Sequence, residues 1–157
     1  MASVAHIFVA QKHGSEMLEV ESARAVGGSG LEGDRHRRGV TLIELENIEG
    51  FCAQTGLALT PGMPRRNIVT RGIRLNDLVG RQFALGGALL EGYELAEPCS
   101  LFARRTHREI LSFFPGKGGL RARVLSGATI RVGDSIGDEG RPRRTSPAGV
   151  WFRPSRS

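Results

Sequence analysis

Lysine and aromatic residues are scarce in this chain of 157 residues. Lys12 and Lys117 are the only lysines among 22 basic residues, and aromatic residues make up 6% of the sequence. Basic and aromatic side chains do not alternate along the chain, as they do on surfaces that stack nucleic-acid bases. The composition therefore argues against nucleic acid as the partner of the folded body.

Long apolar runs are absent as well. No stretch approaches the ~18 apolar residues that suggest a membrane-spanning helix. The N-terminal residues show neither the basic leader nor the cleavage pattern of a signal peptide. We therefore expect a soluble, cytoplasmic protein that has no membrane partner.

The sequence has only two cysteines, Cys52 and Cys99. Without a C-x-x-C pair they cannot build a zinc site by themselves, and cytoplasmic thiols stay reduced. Cys52 falls on the apolar side of a predicted helix and is assigned to the core. Cys99 stands between a predicted strand and a predicted helix, and a helix N-terminus favours the thiolate. The plain alternative is that Cys99 is buried and inert.

Half of the net charge of +6 belongs to the C-terminal end. Residues 138–157 carry five arginines and two acids, and they are rich in Pro, Ser and Gly. This composition is typical of disorder. We predict one domain over residues 1–137, followed by a basic, disordered tail over residues 138–157.

Short apolar segments separated by glycine turns dominate the domain. Strands are predicted at 4–10, 18–26, 67–70, 82–85, 88–95, 120–125 and 128–132, with a hairpin around Gly86-Gly87. One helix is predicted to open within 40–45, where Thr41 and Glu44 have the spacing of a capping box, and another to span 101–113. The pattern predicts a mainly β fold with a few helices, either a barrel or a sandwich.

The segment 28–33 matches G-x-G-x-x-G but does not join a strand to a helix. It runs into the charged segment 34–39, which has no apolar periodicity. A chain with 22 glycines contains such a match by chance. We therefore reject nucleotide binding of the Rossmann type.

Two segments combine charge with a position at a predicted loop or strand end. Asp34 and His36 lie in a polar loop between glycines, which is typical of the lip of a site. Arg65, Arg66 and Asn67 open a predicted strand, and two guanidinium groups with an amide suit a phosphate or a polar heterocycle. Taken singly, each segment also fits a solvated charged turn.

A third segment, 117–121, ends in Arg121 and contains two glycines. Such a loop can offer backbone N–H groups to an anion. Its plain alternative is an ordinary surface loop.

Taken in order, five segments resemble the MOSC domain, the C-terminal domain of molybdenum cofactor sulfurases, which also occurs as small stand-alone bacterial proteins. The segments are GLEGDRH, ELE, PGMPRRNIVTRGIRLNDLVGRQFALGGALLEG, EPCSL and GGLRARVLSGATIRVGDSI. The resemblance covers about residues 16–136. Their order and spacing carry the resemblance.

The resemblance implies a MOSC-type β-barrel that binds the molybdenum cofactor (molybdopterin). It implies that Cys99 is the hallmark cysteine of the family, either a sulfur carrier or the thiolate ligand of molybdenum. Asp34 and His36 match the G-D-x-H motif of the family, and Arg65 and Asn67 match its R-x-N-like segment. All four are expected to lie near the cofactor.

Two further arginines are expected at the cofactor. Arg66 stands where some relatives carry other residues and either replaces or supplements Arg65. Arg121 is expected to help hold the phosphate and the pterin. The thiolate, the arginines and the glycine loops together match what a phosphate-bearing metal dithiolene needs.

The large eukaryotic members of the family also contain a pyridoxal-phosphate cysteine desulfurase. The present sequence shows no such segment and no lysine in the context of a Schiff base. The first hypothesis is a molybdenum-cofactor-binding protein that acts through Cys99, in sulfur transfer or in the reduction of N-hydroxylated compounds. Sulfur is then expected from a separate cysteine desulfurase, and reduction requires a redox partner.

Two alternatives stay open at the level of the sequence. One is a non-catalytic β-barrel that binds nucleic acid, with the arginine tail contributing through counterion release. The other is a cysteine hydrolase built on Cys99, His36 and Asp34, which requires these three side chains to meet.

Overall fold

The computed structural model describes residues 2–97 and 100–142. Ten strands lie in this part of the chain: β1 Ser3–Val9, β2 Leu18–Val20, β3 Ser22–Ala25, β4 Val40–Glu44, β5 Ile68–Arg71, β6 Arg81–Leu85, β7 Ala88–Leu95, β8 Leu120–Ser126, β9 Ala128–Arg131 and β10 Ile136–Pro142. Its helices are α1 Leu45–Thr55, α2 Ser100–Arg105 and α3 Ile110–Phe113, with a 3-10 helix at Leu75–Leu78. The predicted mainly β fold with a few helices is confirmed.

In the described residues, eight strands form one sheet in the order β10-β6-β7-β8-β4-β5-β1-β2, and β3 pairs with β9. β4 and β5 run parallel, whereas every other pair of neighbours among these strands is antiparallel. A parallel pair needs a long crossover, and α1 forms part of it. The predicted hairpin is present, because Leu85 lies opposite Ala88 on either side of Gly86-Gly87.

The strands β1, β4 and β5 are buried on both faces. In β4, Leu42 packs into one apolar cluster inside the sheet, and its neighbour Ile43 packs into a second cluster beneath the helices. Ile68 and Val69 of β5 divide between the clusters in the same way. Burial on both faces explains why apolar residues stand next to each other in these strands instead of alternating with polar ones. The end of β1 and the start of β5 are therefore anchored in both clusters of the core.

The prediction that residues 40–45 open a helix is wrong. Residues 40–44 form β4, and α1 begins only at Leu45. The capping-box spacing is not used, because the Thr41 N–H bonds to Asn67 and Glu44 makes no side-chain cap bond. The Glu44 carboxylate instead accepts the N–H of Leu75 at 3.0 Å. The end of α1 is as predicted, with Gly56 in the left-handed conformation at φ 75°.

Two other predicted elements are divided in the structure. The segment predicted as one strand over 18–26 forms β2 and β3, which belong to different sheets. The segment predicted as one helix over 101–113 forms α2 and α3. Between these two helices the Thr106 hydroxyl donates to the Phe102 carbonyl at 2.7 Å, and His107 contacts the Ala58 carbonyl at 2.9 Å. The His107 contact connects this part of the chain to the segment just after α1.

The two ends of the large sheet approach each other through the start of β1. Ser3 bridges Ser135, the Val4 N–H donates to the Asp134 carbonyl at 2.9 Å, and the Ile136 N–H donates to the Ala2 carbonyl at 3.1 Å. Across residues 2–97 and 100–142 the sheet nevertheless keeps β10 and β2 as its edges. The closed barrel is not confirmed and stays a prediction.

The proposed division at residue 137 also stays a prediction. β10 continues to Pro142 and pairs with β6, and residues 143–157 lie outside the described part of the chain.

The longest helix in the described part of the chain, α1, has 11 residues. No helix among the described residues has the length and apolarity needed to cross a bilayer.

Gly119 is a position at which the fold excludes a side chain. Its φ is 115°, and a Cβ on it would overlap the carbonyl oxygen of Leu42 in β4. We expect Gly119→Ala to lower the free energy of unfolding by about 3 kcal/mol, from the clash and the left-handed backbone together. The measurement is urea unfolding followed by circular dichroism.

Gly56→Ala is the matched control for Gly119→Ala. Gly56 is also left-handed, but a Cβ on it would meet open space. It should lose only the conformational part, about 1 kcal/mol. Equal losses in the two variants would contradict the steric argument.

Candidate functional site

A polar cavity of about 370 Å³ opens beside the end of β1 and the start of β5. Its lining includes six of the seven residues that the sequence predicted for the site: Asp34, His36, Arg65, Arg66, Asn67 and Arg121. The seventh, Cys99, lies outside the described residues. Separate segments of the chain thus meet at one cavity.

The buried carboxylate of Asp34 fixes the loop that carries His36. One oxygen accepts the N–H of Ala10 just after β1 at 2.7 Å, and the other accepts the backbone N–H of His36 at 3.1 Å. The Arg35 N–H in turn donates to the Ala10 carbonyl at 2.7 Å. Both carboxylate oxygens of Asp34 thus accept hydrogen bonds from backbone N–H groups. Its position in the cavity is that of a loop anchor.

This arrangement bears on the hydrolase alternative. The contact between Asp34 and His36 runs through the backbone N–H of His36, not through its ring. A Cys-His-Asp arrangement depends on an orienting bond between the carboxylate and the imidazole. In the part of the chain that the structure describes, Asp34 and His36 do not form that bond.

Asn67 occupies the junction of three strands. Its side-chain oxygen accepts the N–H of Thr41 at 3.1 Å and the Thr41 hydroxyl at 3.3 Å. Its side-chain nitrogen donates to the Phe8 carbonyl at 3.1 Å. An amide nitrogen has two hydrogens, and Asn67 is one of the residues that line the cavity.

Arg65 and Arg66 follow each other but are placed differently. Arg65 has φ 65° and is the one non-glycine residue with positive φ in the described part of the chain. Strained backbone of this kind concentrates at functional sites. The guanidinium of Arg66 is buried and bonds to the carbonyl oxygens of Gly118 and Glu97 at 2.9 and 2.7 Å.

The cavity is strongly cationic. Five arginines line it: Arg35, Arg65, Arg66, Arg104 and Arg121. Its one lining carboxylate, among the residues that the structure describes, is Asp34, which is engaged with backbone N–H groups. Outside the cavity, Glu94 lies 3.3 Å from Arg121 in an exposed ion pair, which solvent weakens. The lining therefore favours an anion.

The pKa of His36 is affected by the positive charge of the cavity. Burial lowers the pKa of His36 below its usual value of 6.5, and the carboxylate of Asp34 acts in the opposite direction. Positive charge lowers the pKa further, from Arg35, Arg121 and Arg38. The ring is therefore mainly neutral at pH 7 and presents one donor and one acceptor nitrogen.

Some residues of the cavity were not predicted from the sequence. His13 and Met17 come from the loop after β1, Arg35 lies between the predicted Asp34 and His36, and Arg104 lies five residues after Cys99. Because Arg104 follows Cys99 closely in the sequence, its presence near the site could have been predicted. His13 carried none, because only the return of the loop toward β5 brings it to the cavity.

Metal-ligating side chains do not gather in this region. Among the described residues no group of three or more His, Cys, Asp or Glu side chains is placed to hold a metal ion.

The chain is similar to a known domain family and to several solved structures. The family model described as MOSC domain matches residues 13–137. Among solved structures, the YuaD protein from Bacillus subtilis superposes with a TM-score of 0.73 at 16% identity, over 87% of this chain and 94% of that one. No curated protein matches the chain in sequence.

Two YiiM structures also superpose. For YiiM from Geobacillus stearothermophilus the TM-score is 0.70 at 19% identity, over 87% of this chain and 74% of that one. For YiiM from Escherichia coli it is 0.65 at 19% identity, over 88% and 70%. At these identities the likeness shows a shared fold.

Titration of His36 tests the electrostatics of the cavity. We expect its ring to titrate below pH 6.5 and Arg35→Gln to raise that pKa, because a positive charge near the ring is removed. Since the folded pKa is lowered, the contribution of His36 to stability is present above pH 6.5 and falls as the pH drops toward the folded pKa. Ring chemical shifts followed by NMR measure the titration.

Arg131→Gln is the control, since Arg131 lies in β9 and does not line the cavity. It should leave the titration unchanged. A pKa of His36 at or above 6.5 in the unchanged protein would contradict the electrostatic description.

Proposed function

The chain belongs to the MOSC domain family, and from this premise we propose that it binds the molybdenum cofactor in the arginine-lined cavity and acts through Cys99. The observation that supports the proposal is the convergence of Asp34, His36, Arg65, Asn67 and Arg121 on one cationic cavity. Residues matched to two separate family motifs therefore share one lining.

The cavity suits the cofactor in size and charge. Its volume of about 370 Å³ falls within the range of small-molecule sites, about 300–1,000 Å³. Guanidinium groups bind phosphate through paired N–H donors. The lack of a cluster of metal-ligating side chains among the described residues also fits a metal that arrives with its own ligands. The residues present therefore fit the group.

Distinct roles follow for the lining residues. We assign Arg65 and Arg121 to the phosphate, since both are only partly buried and line the cavity from separate segments. The remaining N–H of Asn67 and the neutral ring of His36 suit the donor and acceptor edge of a pterin. Asp34 holds the His36 loop in place.

The bound cofactor supplies a redox-active metal with pterin sulfur ligands. Cys99 is assigned one of two roles beside it, thiolate ligand of the metal or carrier of sulfur. As a carrier, its thiolate attacks the outer sulfur of a donor persulfide. The new S–S bond forms while the donor S–S bond breaks, and the donor leaves as a thiolate.

Partners and location follow from this chemistry. A carrier role requires a sulfur donor such as a cysteine desulfurase, and a reductase role, for which N-hydroxylated compounds are the proposed substrates, requires a redox partner. Thiols are kept reduced in the cytoplasm, and we propose that the protein acts there.

Cys99→Ser is the direct test of the proposal. We expect the variant to stay folded and to lose either bound molybdenum or sulfur loading, because serine offers no soft thiolate. The measurements are elemental analysis for molybdenum and mass spectrometry for persulfide, on protein from a host that makes the cofactor. Cys52→Ser is the control, since Cys52 bonds to the Leu59 carbonyl beside α1 and does not line the cavity.

The outcomes separate the two roles. Molybdenum present in the unchanged protein and lost in Cys99→Ser makes Cys99 a ligand. A persulfide on Cys99 without stable molybdenum makes it a carrier. If Cys99→Ser retains both, or if the unchanged protein shows neither, the assignment of Cys99 is wrong.

Inorganic phosphate tests the cationic cavity separately. We expect phosphate to raise the pKa of His36, because a bound anion offsets the arginine charges. Arg121→Met should weaken phosphate binding about tenfold or more, as expected for losing one charge-assisted hydrogen bond of about 1.5–3 kcal/mol. NMR titration of the His36 ring measures both effects.

Arg71→Met is the matched control for Arg121→Met. Arg71 is an exposed strand arginine paired with Glu49 at 3.1 Å, and it does not line the cavity. Its replacement should leave the phosphate affinity unchanged. Equal weakening in both variants would indicate general charge attraction instead of a site.

A further inference from the structure

A second opening in the surface lies next to the cationic cavity. It has a volume of about 650 Å³, and we call it the groove. Gly14, Met17 and Arg65 line both the cavity and the groove, so the two adjoin at these residues. The roles proposed above leave the groove without an occupant.

Apolar side chains supply much of the lining of the groove: Phe8, Met17, Pro61 and Met63. The Phe8 ring lies directly against Gly62, because a Cβ at that glycine would come within 2.9 Å of the ring. Met63 is 38% exposed, and its sulfur accepts the Thr60 N–H at 3.4 Å. Methionine is flexible and polarisable, and it adapts to apolar ligands of different shapes. This part of the groove therefore suits an apolar body such as an aromatic ring.

Two carboxylates line the groove but not the cavity. They belong to Glu16 and Glu19, which are both exposed. Glu19 in β2 lies directly opposite Phe8 in β1, and its carboxylate is 2.7 Å from Nδ1 of His6. The His6 ring in turn stacks on the Phe8 ring, with their centroids 6.0 Å apart. The carboxylate of Glu19 is thus placed beside the aromatic part of the lining.

The positive charge of the groove lies at its border with the cavity. Arg65 lines both openings. The Arg105 guanidinium donates to the carbonyl of Gly14, which is also shared by the two linings, at 2.9 Å. The groove is therefore polarised, with arginines beside the cavity and carboxylates on the lining that the cavity does not share.

We propose that the groove binds a small organic cation, a molecule with an apolar body the size of an aromatic ring and one basic group. The basic group pairs with Glu16 and Glu19. The body packs on Phe8 and Met63, and the opposite end faces Arg65 at the border of the cavity. The inference rests on the proposed function, because it makes this cation the substrate that is presented to the cofactor.

Charge decides between a cation and an anion in the groove. The adjoining cavity favours an anion, and a second anion beside a filled cavity would be repelled. The carboxylates of Glu16 and Glu19 attract a cation and repel an anion. A neutral molecule of the same shape keeps the apolar contacts and loses only the ion pair. Molecules that share a shape and differ in charge therefore test the proposal.

The probes are benzylamine, benzyl alcohol and benzoate, which share a phenyl ring and differ in charge. Binding to the full chain without cofactor is followed by NMR, with ¹³C in the methionine methyl groups. Met17 and Met63 both line the groove, so their methyl signals report on it. Met17→Leu and Met63→Leu assign these signals. The ionic strength is kept low, because salt screens exposed charges.

We expect benzylamine to shift both methyl signals saturably, with a Kd on the order of millimolar for a molecule of this size. Benzyl alcohol should bind about fivefold more weakly, and benzoate more weakly still. Glu16→Gln should weaken benzylamine binding about threefold, the size expected for an exposed ion pair, and leave benzyl alcohol unchanged. Met63→Ala should weaken the binding of both about fivefold, because apolar contact is lost.

Two variants outside the groove are the matched controls. Glu32→Gln removes an exposed carboxylate that does not line the groove. Leu111→Ala removes a 54% exposed apolar side chain that does not line it either. Both should leave the affinities for benzylamine and benzyl alcohol unchanged.

Three outcomes overturn the proposal. Methyl signals of Met17 and Met63 that do not respond to benzylamine, or that shift without saturation, show that the groove is not a site. Equal affinity for benzylamine and benzyl alcohol, or tighter binding of benzoate, contradicts the assignment of a cation. Equal weakening of benzylamine binding by Glu16→Gln and Glu32→Gln indicates general charge attraction.

These readouts need no cofactor. A chain that binds benzylamine in the groove but loads neither molybdenum nor sulfur contradicts the proposed function and leaves the groove as a cation site. A chain that loads molybdenum but does not bind benzylamine keeps the proposed function and loses this inference.

Discussion

The site depends on the side-chain amide of Asn67, which joins three strands at one point. Its oxygen takes two bonds from Thr41 of β4 on one side, and its nitrogen bonds the Phe8 carbonyl of β1 on the other. The side-chain amide of Asn67 thus satisfies the Thr41 N–H and the Phe8 carbonyl one residue before β5 begins. Buried backbone groups need partners. The Asn67 amide supplies them at the start of β5, so the cavity can open beside the sheet at that point.

Around that amide the fold gathers positive charge, and Asp34 is the one lining carboxylate among the residues that the structure describes. Five arginines line the cavity, and their mutual repulsion opposes this arrangement of the folded chain. The fold limits this cost by giving Arg66 backbone carbonyls to bind and by leaving Arg104 exposed. Arg65 adds a left-handed backbone. An arrangement of this kind is preorganised for an anion, since bound negative charge removes the repulsion that the folded protein otherwise carries.

The secondary-structure predictions were wrong where the local residue pattern favoured a helix and the burial of the side chains favoured another structure. Thr41 and Glu44 have helix-start spacing, yet Leu42 and Ile43 are buried on opposite faces, which only a strand allows. The helix predicted over 101–113 is divided into α2 and α3, and between them the side chains of Thr106 and His107 contact the carbonyls of Phe102 and Ala58. His13 was passed over, since nothing in its neighbours signals that its loop returns to the cavity.

The sequence alone was enough to determine the mainly β class, the hairpin at Gly86-Gly87 and the helix end at Gly56, because these depend on contacts between near neighbours. Motif order also indicated the family and the residues of the cavity. Only the tertiary structure distinguished their tasks: Asp34 holds a loop, Asn67 joins strands, and Arg66 holds the backbone before Cys99. These tasks arise from hydrogen bonds between residues 24 to 59 positions apart in the chain, and no local pattern encodes a partner at that distance.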